Sequence, residues 1–222
     1  MNIKIGTLSF NTLKLSSGEL HKFRGYMGNL YKKYDLIHNH RQDGSTITRY
    51  PLIQFKLINK TPSIIAITDK AIEVFSKIFL SMDEVIIDNI KIPVHEKDLK
   101  VDNSGAGFST ETLVYEFTSP WMALNEKNYK KYKECTTYDE KNSLLEKILV
   151  GNIMSMSKGL GIHLNDDQII KMNLKHKHVR AKLKGIPMSA FTGIFKTNYM
   201  IPDYLGLGKS TSRGFGTVKK IL

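Results

Sequence analysis

The chain has 222 residues, enough for one large domain or two small ones, and its 41% hydrophobic and 24% charged residues are ordinary for a globular protein. Its 33 Lys and Arg against 21 Asp and Glu give a formal net charge of +12, which favours a polyanionic partner such as nucleic acid. No apolar run approaches the ~20 residues of a membrane-spanning helix, so the sequence predicts no membrane contact. Cys135 is the only cysteine, which excludes an internal disulfide and a cysteine-based zinc site. Both observations predict a cytoplasmic protein.

The first half of the chain predicts the order strand, helix, strand, strand, helix, strand. The apolar periodicity places these elements at residues 2–10, 19–34, 50–58, 62–68, 69–82 and 84–94, the last with a turn at Asp88-Asn89. This βαββαβ order is the ferredoxin-like pattern that RNA-recognition modules also use. The polar, glycine-containing residues 101–110 then predict a linker or long loop.

The second half partly repeats this pattern. It predicts a strand at 110–117, a helix at 139–161 that ends at Gly159 or Gly161, paired strands at 172–185 and 187–200, and a closing strand at 216–222. The predicted fold class is therefore α+β, with two tandem ferredoxin-like (RRM-like) domains, the second less regular and with a C-terminal glycine-rich loop. The predicted domains are residues 1–103 and 104–222. A single α+β domain is the alternative.

The glycine-rich loop, GLGKSTSRGFG at 206–216, contains the letters GKST of a nucleotide-binding P-loop. A P-loop needs a glycine five residues earlier, where this chain has Asp203, and a dinucleotide-binding pattern would need a glycine where it has Thr211. The sequence thus argues against an ATP or NAD site. Hydroxyls, cations and a glycine backbone suit phosphate contacts, and a mobile hairpin loop is the alternative. The candidate RNA-binding residues here are Gly206, Gly208, Lys209, Ser210, Thr211, Ser212, Arg213, Gly214 and Gly216.

The spacing Gly-x-Gly-x5-Gly-Phe-Gly near the chain end, preceded by IPDYL, resembles the C-terminal loop of the CRISPR-associated repeat-RNA processing endoribonucleases, a family of the RAMP superfamily. The resemblance extends to chain length, tandem ferredoxin-like order, basic charge and a histidine-bearing loop after the first helix. It implies an enzyme that cuts CRISPR repeat transcripts into guide RNAs without metal or other cofactor. The 2′-OH would attack, leaving a 2′,3′-cyclic phosphate and a 5′-OH.

The resemblance also implies partners. These are the precursor repeat RNA and the processed guide RNA, with an interference complex and a second copy of the chain as further candidates. The alternative function is a non-catalytic RNA-binding subunit of a CRISPR ribonucleoprotein complex.

The histidine loop is YDLIHNHRQDGSTITRY, residues 34–50. His38 and His40 are two residues apart, so in an extended segment both point to one side. Histidine suits both proton transfers of RNA cleavage because its ordinary pKa of ~6.5 keeps both protonation states accessible. The resemblance points to this region but leaves open which histidine is acid and which is base. Two solvated surface histidines are the alternative. The candidate helpers are Lys32 and Tyr50, with Tyr31, Lys33, Arg41 and Arg49 as further donors or cations.

The strand at 172–185 carries the densest positive charge. Six of the residues from Lys171 to Lys184 are Lys or Arg and none is acidic, which favours an RNA track over a metal site at His176 and His178. Alternation places Arg180 and Lys182 on one side and Val179, Ala181 and Leu183 on the other. An edge strand guarded by lysines against aggregation is the alternative. The candidate RNA-binding residues are Lys175, Lys177, Arg180 and Lys182.

Overall fold

The computed structural model describes residues 1–31, 49–183 and 185–221, apart from the side chains of Ile78 and Phe79. The described residues form two units. The N-terminal unit comprises Asn2–Ser104 with Ser212–Gly214, and the C-terminal unit comprises Met1, Gly105–Thr211 and Phe215–Leu222. In the part of the chain described, no helix is long and apolar enough to span a membrane.

The N-terminal unit has a four-stranded sheet with the order β2-β3-β1-β6, the strand order of a ferredoxin-like fold. Its elements are β1 (Asn2–Ser9), α1 (Leu20–Leu30), β2 (Ile53–Ile58), β3 (Thr61–Ile67), α2 (Asp69–Ser81), β4 (Glu84–Ile87), β5 (Ile90–Pro93) and β6 (Asp98–Gly105). The β2–β3 turn at Asn59 and Lys60 has φ angles of 50° and 66°, as a two-residue hairpin requires. Phe10, Phe23 and Phe55 meet edge to face in the core, with ring centroids 5.2 and 5.7 Å apart.

Two predictions for the first half are wrong. Residues 84–94 form the separate hairpin β4–β5, with the predicted turn at Asp88-Asn89, and are not the last strand of the sheet. Residues 101–110 are not a linker, because they belong to β6 and to β7 (Gly107–Phe117). Strand β6 was not predicted because most of its side chains are exposed, so its sequence lacks the alternation of apolar and polar residues by which a strand is recognised. Main-chain pairing holds it in the sheet.

The C-terminal unit has an antiparallel sheet with the order β10-β7-β9-β8, again the ferredoxin-like order. Besides β7, it contains α3 (Glu126–Glu134), α4 (Tyr138–Gly159), β8 (Met172–Leu183), β9 (Ile186–Met200) and β10 (Val218–Lys220). The predicted fold class is confirmed, as are the end of α4 at Gly159 and the β8–β9 pair. Residues 201–217, all described, contain the glycine-rich loop and one 3₁₀ turn (Thr211–Arg213) where a regular ferredoxin-like unit has its second helix.

Helix α3 was not predicted from the sequence. Its N-terminus is capped by Asn125, whose side-chain oxygen accepts a hydrogen bond of 2.8 Å from the Asn128 amide. None of its residues is buried, so it lacks the apolar stripe from which a helix is recognised.

Helix α4 covers one face of the C-terminal sheet. Its start is closed by a capping box between Thr137 and Glu140. Trp121 is fully buried beneath it, stacks on Phe117 and donates a 3.0 Å hydrogen bond from Nε1 to Asn152 Oδ1. The face that α4 covers is called the helix face below, and the opposite face is called the open face.

Candidate functional site

The glycine-rich loop is held by main-chain hydrogen bonds. The Leu207 amide donates to the Gly216 carbonyl at 2.8 Å, and the Gly216 amide donates to the Pro120 carbonyl at 2.9 Å. Gly208 has a φ of +86°, and a β-carbon there would lie 2.7 Å from Nε1 of Trp121. These bonds and contacts argue against the alternative of a mobile hairpin loop.

Burial divides the candidate residues of this loop into three groups. Gly206, Thr211 and Gly216 are buried, so they shape the loop and offer little surface to a ligand. Lys209 is exposed, and its amide donates a 3.1 Å hydrogen bond to the Met122 carbonyl, which fixes the start of its side chain. The remaining candidates are half-buried: Gly208, Ser210, Ser212, Arg213 and Gly214.

Arg24 of the N-terminal unit is half-buried close to the positive charge of Arg213. Burial, and after it the positive charge of Arg213, lowers the pKa of Arg24 to about 10. Among the described residues, Arg24 Nε is buried without a hydrogen-bond partner. Two neighbouring guanidinium groups in this setting favour an anion beside them.

The cations of β8 lie on both faces of the C-terminal sheet. Continuous pairing from Met172 to Leu183 shows that the strand has no bulge, so its side chains alternate strictly. Arg180 and Lys182 share the helix face with Leu174, whereas Lys175 and Lys177 share the open face with Val179. The predicted alternation around Arg180 is confirmed, but the four candidate residues do not form one continuous face.

The histidines of β8 have structural partners on the helix face. His176 Nδ1 lies 3.0 Å from Asn142 Oδ1, and its ring stacks on Tyr138 with centroids 5.0 Å apart. Burial, and after it the neighbouring His178, lowers the pKa of His176, which favours the neutral ring. His178 Nε2 lies 3.2 Å from Ser189 Oγ. Within the described ranges, no group of three or more His, Cys, Asp or Glu converges on a common point.

A groove of about 650 Å³ lies between the start of α3 and the end of the β8–β9 hairpin. Lys209 of the glycine-rich loop lines it together with Arg180 and His178 of β8. The structure thus brings one residue of the predicted loop and one of the predicted strand to the same place. Tyr129 adds an aromatic ring, and Glu126 is the one carboxylate among the residues that line the groove.

A second groove, of about 550 Å³, lies along β8 and β9 and includes open-face residues. Lys175, Lys177 and Lys196 line it beside the carboxylate of Glu116. Positive charge therefore exceeds negative charge at both grooves.

The predicted catalytic residues His38 and His40, and the helper Lys32, lie outside the described residues. Of the other candidates, Tyr50 is half-buried just before β2, and Arg49 is exposed. Tyr31 is buried, and its hydroxyl lies 3.1 Å from Ser81 Oγ, which gives it a structural role in the N-terminal unit.

The basic and aromatic residues of α3 and of the neighbouring turn of α4 were not predicted as site residues. Lys131 and Lys147 line a further groove of about 450 Å³ between these helices, together with Lys209. The signal was present in the segment EKNYKKYKE, where Asn125 precedes a run rich in lysine and tyrosine.

Comparison with solved structures supports the fold described above. A CRISPR-Cas type IV Cas6 crRNA endonuclease of 12% identity superposes with a TM-score of 0.63 over the full length of both chains, a likeness of tandem ferredoxin-like fold alone. The chain thus has a tandem ferredoxin-like fold.

The family follows from closer matches. Residues 1–105 match the Cas6b N-terminal domain and residues 107–221 match the Cas6b C-terminal domain, so the chain belongs to the Cas6b family. A crystal structure of Cas6b is 36% identical with a TM-score of 0.93, and one of a CRISPR RNA processing endoribonuclease Cas6b is 32% identical with a TM-score of 0.81; both matches cover 100% of each chain. A protein of Methanocaldococcus jannaschii described as uncharacterized is 40% identical over 63% of this chain and 99% of its own.

Proposed function

We propose that this protein is a metal-independent endoribonuclease that cleaves CRISPR repeat transcripts into guide RNAs. The observation that carries the proposal is the full-length match to a CRISPR RNA processing endoribonuclease at 32% identity, in a chain that also has the paired histidines His38 and His40. The excess of positive charge in the grooves of the C-terminal unit supports an RNA substrate.

The proposed reaction is a transesterification. One histidine removes the proton from the 2′-OH, whose oxygen bonds to the neighbouring phosphorus while the bond from phosphorus to the 5′-oxygen breaks. The other histidine, initially protonated, donates its proton to the leaving 5′-oxygen. The products are a 2′,3′-cyclic phosphate and a 5′-OH. Lys32 is proposed to stabilise the additional negative charge of the transition state, and Tyr50 to supply a hydroxyl.

The substrate is proposed to bind through the glycine-rich loop and β8. Lys209 and Arg180, which line one groove, are the principal phosphate contacts. Lys182 continues this contact on the helix face of β8, and Lys175 and Lys177 offer a separate contact on the open face. Arg213 would offer a further contact beside Arg24. The buried glycines Gly206 and Gly216 act by holding Lys209 in place.

The test is incubation of the purified chain with end-labelled repeat RNA in EDTA, followed by identification of both product ends. We expect a cyclic phosphate and a 5′-OH, and we expect no product from RNA with a 2′-deoxy nucleotide at the cut site. Cleavage that is lost in EDTA and restored by a divalent ion would refute metal independence. Cleavage of the 2′-deoxy RNA would refute attack by the 2′-OH.

The alternative, a non-catalytic RNA-binding subunit, predicts salt-sensitive binding of the same RNA with no product. The proposal places the protein in the cytoplasm, with the precursor and the guide RNA as partners. An interference complex and a second copy of the chain are further proposed partners. Size-exclusion chromatography with and without RNA tests for the second copy.

A further inference from the structure

Helix α3 has a groove on each side within the C-terminal unit. On one side is the 650 Å³ groove toward β8 and β9, and on the other is the 450 Å³ groove toward α4. Lys209 lines both, beside the capped N-terminus of α3. The two grooves therefore meet at a residue of the glycine-rich loop.

The cations along this path are available to a ligand. Arg180, Lys131, Lys147 and Lys209 are all exposed, and no carboxylate of the described residues forms an ion pair with any of them. The carboxylate of Glu126 is paired with Lys130 at 3.7 Å, which reduces its repulsion of an anion. Asn125 and Asn152 add amide groups to the side toward α4, where the lining residues include no carboxylate.

An aromatic ring stands in the larger of the two grooves. Tyr129 is 39% exposed, and the ammonium group of Lys133 lies over its ring at 5.1 Å from the centroid. An exposed ring next to phosphate-binding cations is the combination by which proteins hold unpaired nucleotides, because every base has a face that stacks. A paired base has no such free face.

We propose that these two grooves form one track for an unpaired stretch of the RNA, crossing the N-terminus of α3. In this track Arg180, Lys209, Lys131 and Lys147 bind successive backbone phosphates, and Tyr129 stacks on a base. The proposal rests on the proposed function for the presence of RNA, and it adds a path that continues from β8 to α4. It also assigns Lys209 the central position, since it borders both grooves.

The experiment measures binding of a single-stranded homopolymeric RNA to the full chain across a range of salt concentrations. The variant Lys131→Gln/Lys147→Gln removes two charges from the track. The matched control, Lys158→Gln/Lys220→Gln, removes two charges from exposed lysines of the same unit that lie outside both grooves. We expect the slope of log affinity against log salt to fall by roughly 1.4 in the first variant only, the value for two lost contacts to a single strand.

Two further arms identify the ligand. Tyr129→Ala should weaken binding of the single strand severalfold while Tyr129→Phe retains it, and neither should change binding of a blunt RNA duplex. Polyglutamate of matched charge should compete poorly. The proposal would be overturned by equal slopes in the track variant and its control. It would also be overturned if polyglutamate competed as strongly as RNA, a result that would favour an acidic protein partner.

The outcomes separate the track from the nuclease proposal. Repeat RNA that is cut normally by the wild type, together with an unchanged slope in the track variant, would refute the track alone. A reduced slope together with no product from repeat RNA would refute the nuclease activity alone.

Discussion

Gly216 and Leu207 are paired in the glycine-rich loop: the Leu207 amide donates a hydrogen bond of 2.8 Å to the Gly216 carbonyl. Gly216 has a φ of +61°, and a β-carbon there would overlap the Leu207 carbonyl oxygen. We expect Gly216→Ala to lower the free energy of unfolding by at least about 2 kcal/mol, measured by urea denaturation.

The matched control for this glycine is Gly151→Ala in the middle of α4. A β-carbon at Gly151 meets nothing within 4 Å, so the substitution should stabilise the protein by roughly 0.5–1 kcal/mol through helix propensity. If Gly216→Ala is as stable as Gly151→Ala, the loop does not depend on this glycine in the way its geometry indicates.

Replacement of either His38 or His40 by Ala should slow cleavage of repeat RNA by about 10²–10⁴, because each would carry one of the two proton transfers. Affinity for the RNA should change little. The control is His95→Ala, an exposed histidine of the N-terminal unit. Single-turnover cleavage at saturating protein measures the rate, and a double variant that cuts as fast as the wild type would remove both histidines from the mechanism.

The contributions of the two faces of β8 to RNA binding can be compared with two double substitutions that each remove two positive charges. Arg180→Gln/Lys182→Gln should weaken RNA binding more than Lys175→Gln/Lys177→Gln, because Arg180 lines a groove with Lys209 whereas the open-face lysines lie beside Glu116. Fluorescence anisotropy with labelled repeat RNA at two salt concentrations measures the difference. The reverse ranking would move the main RNA contact to the open face.

We expect Lys56 to make the stability of the protein dependent on pH. Its side chain is fully buried in β2, and burial lowers its pKa from 10.5 to about 7. Between pH 7 and 10 the unfolded chain therefore binds a proton that the folded chain has released, so the free energy of unfolding should rise with pH in this window.

The variant Lys56→Met should be more stable than the wild type at pH 7, by roughly 1–4 kcal/mol, and this advantage should shrink toward pH 9.5. Exposed Lys70→Met is the control, for which we expect the wild-type dependence on pH. Denaturation curves at pH 7, 8 and 9.5 measure both. An unchanged slope in Lys56→Met would mean that another group causes the dependence.

The sequence predicted those elements whose side chains alternate between buried and exposed. Helix α4 and the β8–β9 pair were recognised because core residues such as Leu149 and Phe195 recur at the period of their element. Strand β6 and helix α3 were missed because neither buries an apolar face, so their stability depends on main-chain pairing and on a cap.

The sequence predicted the residue types of the candidate site more successfully than their arrangement in space. Glycine spacing and lysine density identified the loop and β8, but a linear sequence does not show which faces meet. Lys209 and Arg180 are 29 positions apart and line one groove, whereas Lys175 and Lys177 lie on the other face of the strand that carries Arg180. The pairing register of β8 and β9 is what shows which cations share a face of the sheet.

The glycine-rich loop stands where the second helix of a ferredoxin-like unit would be, and this constrains its length as well as its composition. It leads directly into β10, where Val218 pairs with Phe117 and Lys219 with Glu116. Because successive strand residues point to opposite faces, removal of one residue between Gly208 and Gly216 would shift β10 by one position and bring Lys219 into the place of fully buried Val218. The number of residues in this loop thus determines which side chains close the core.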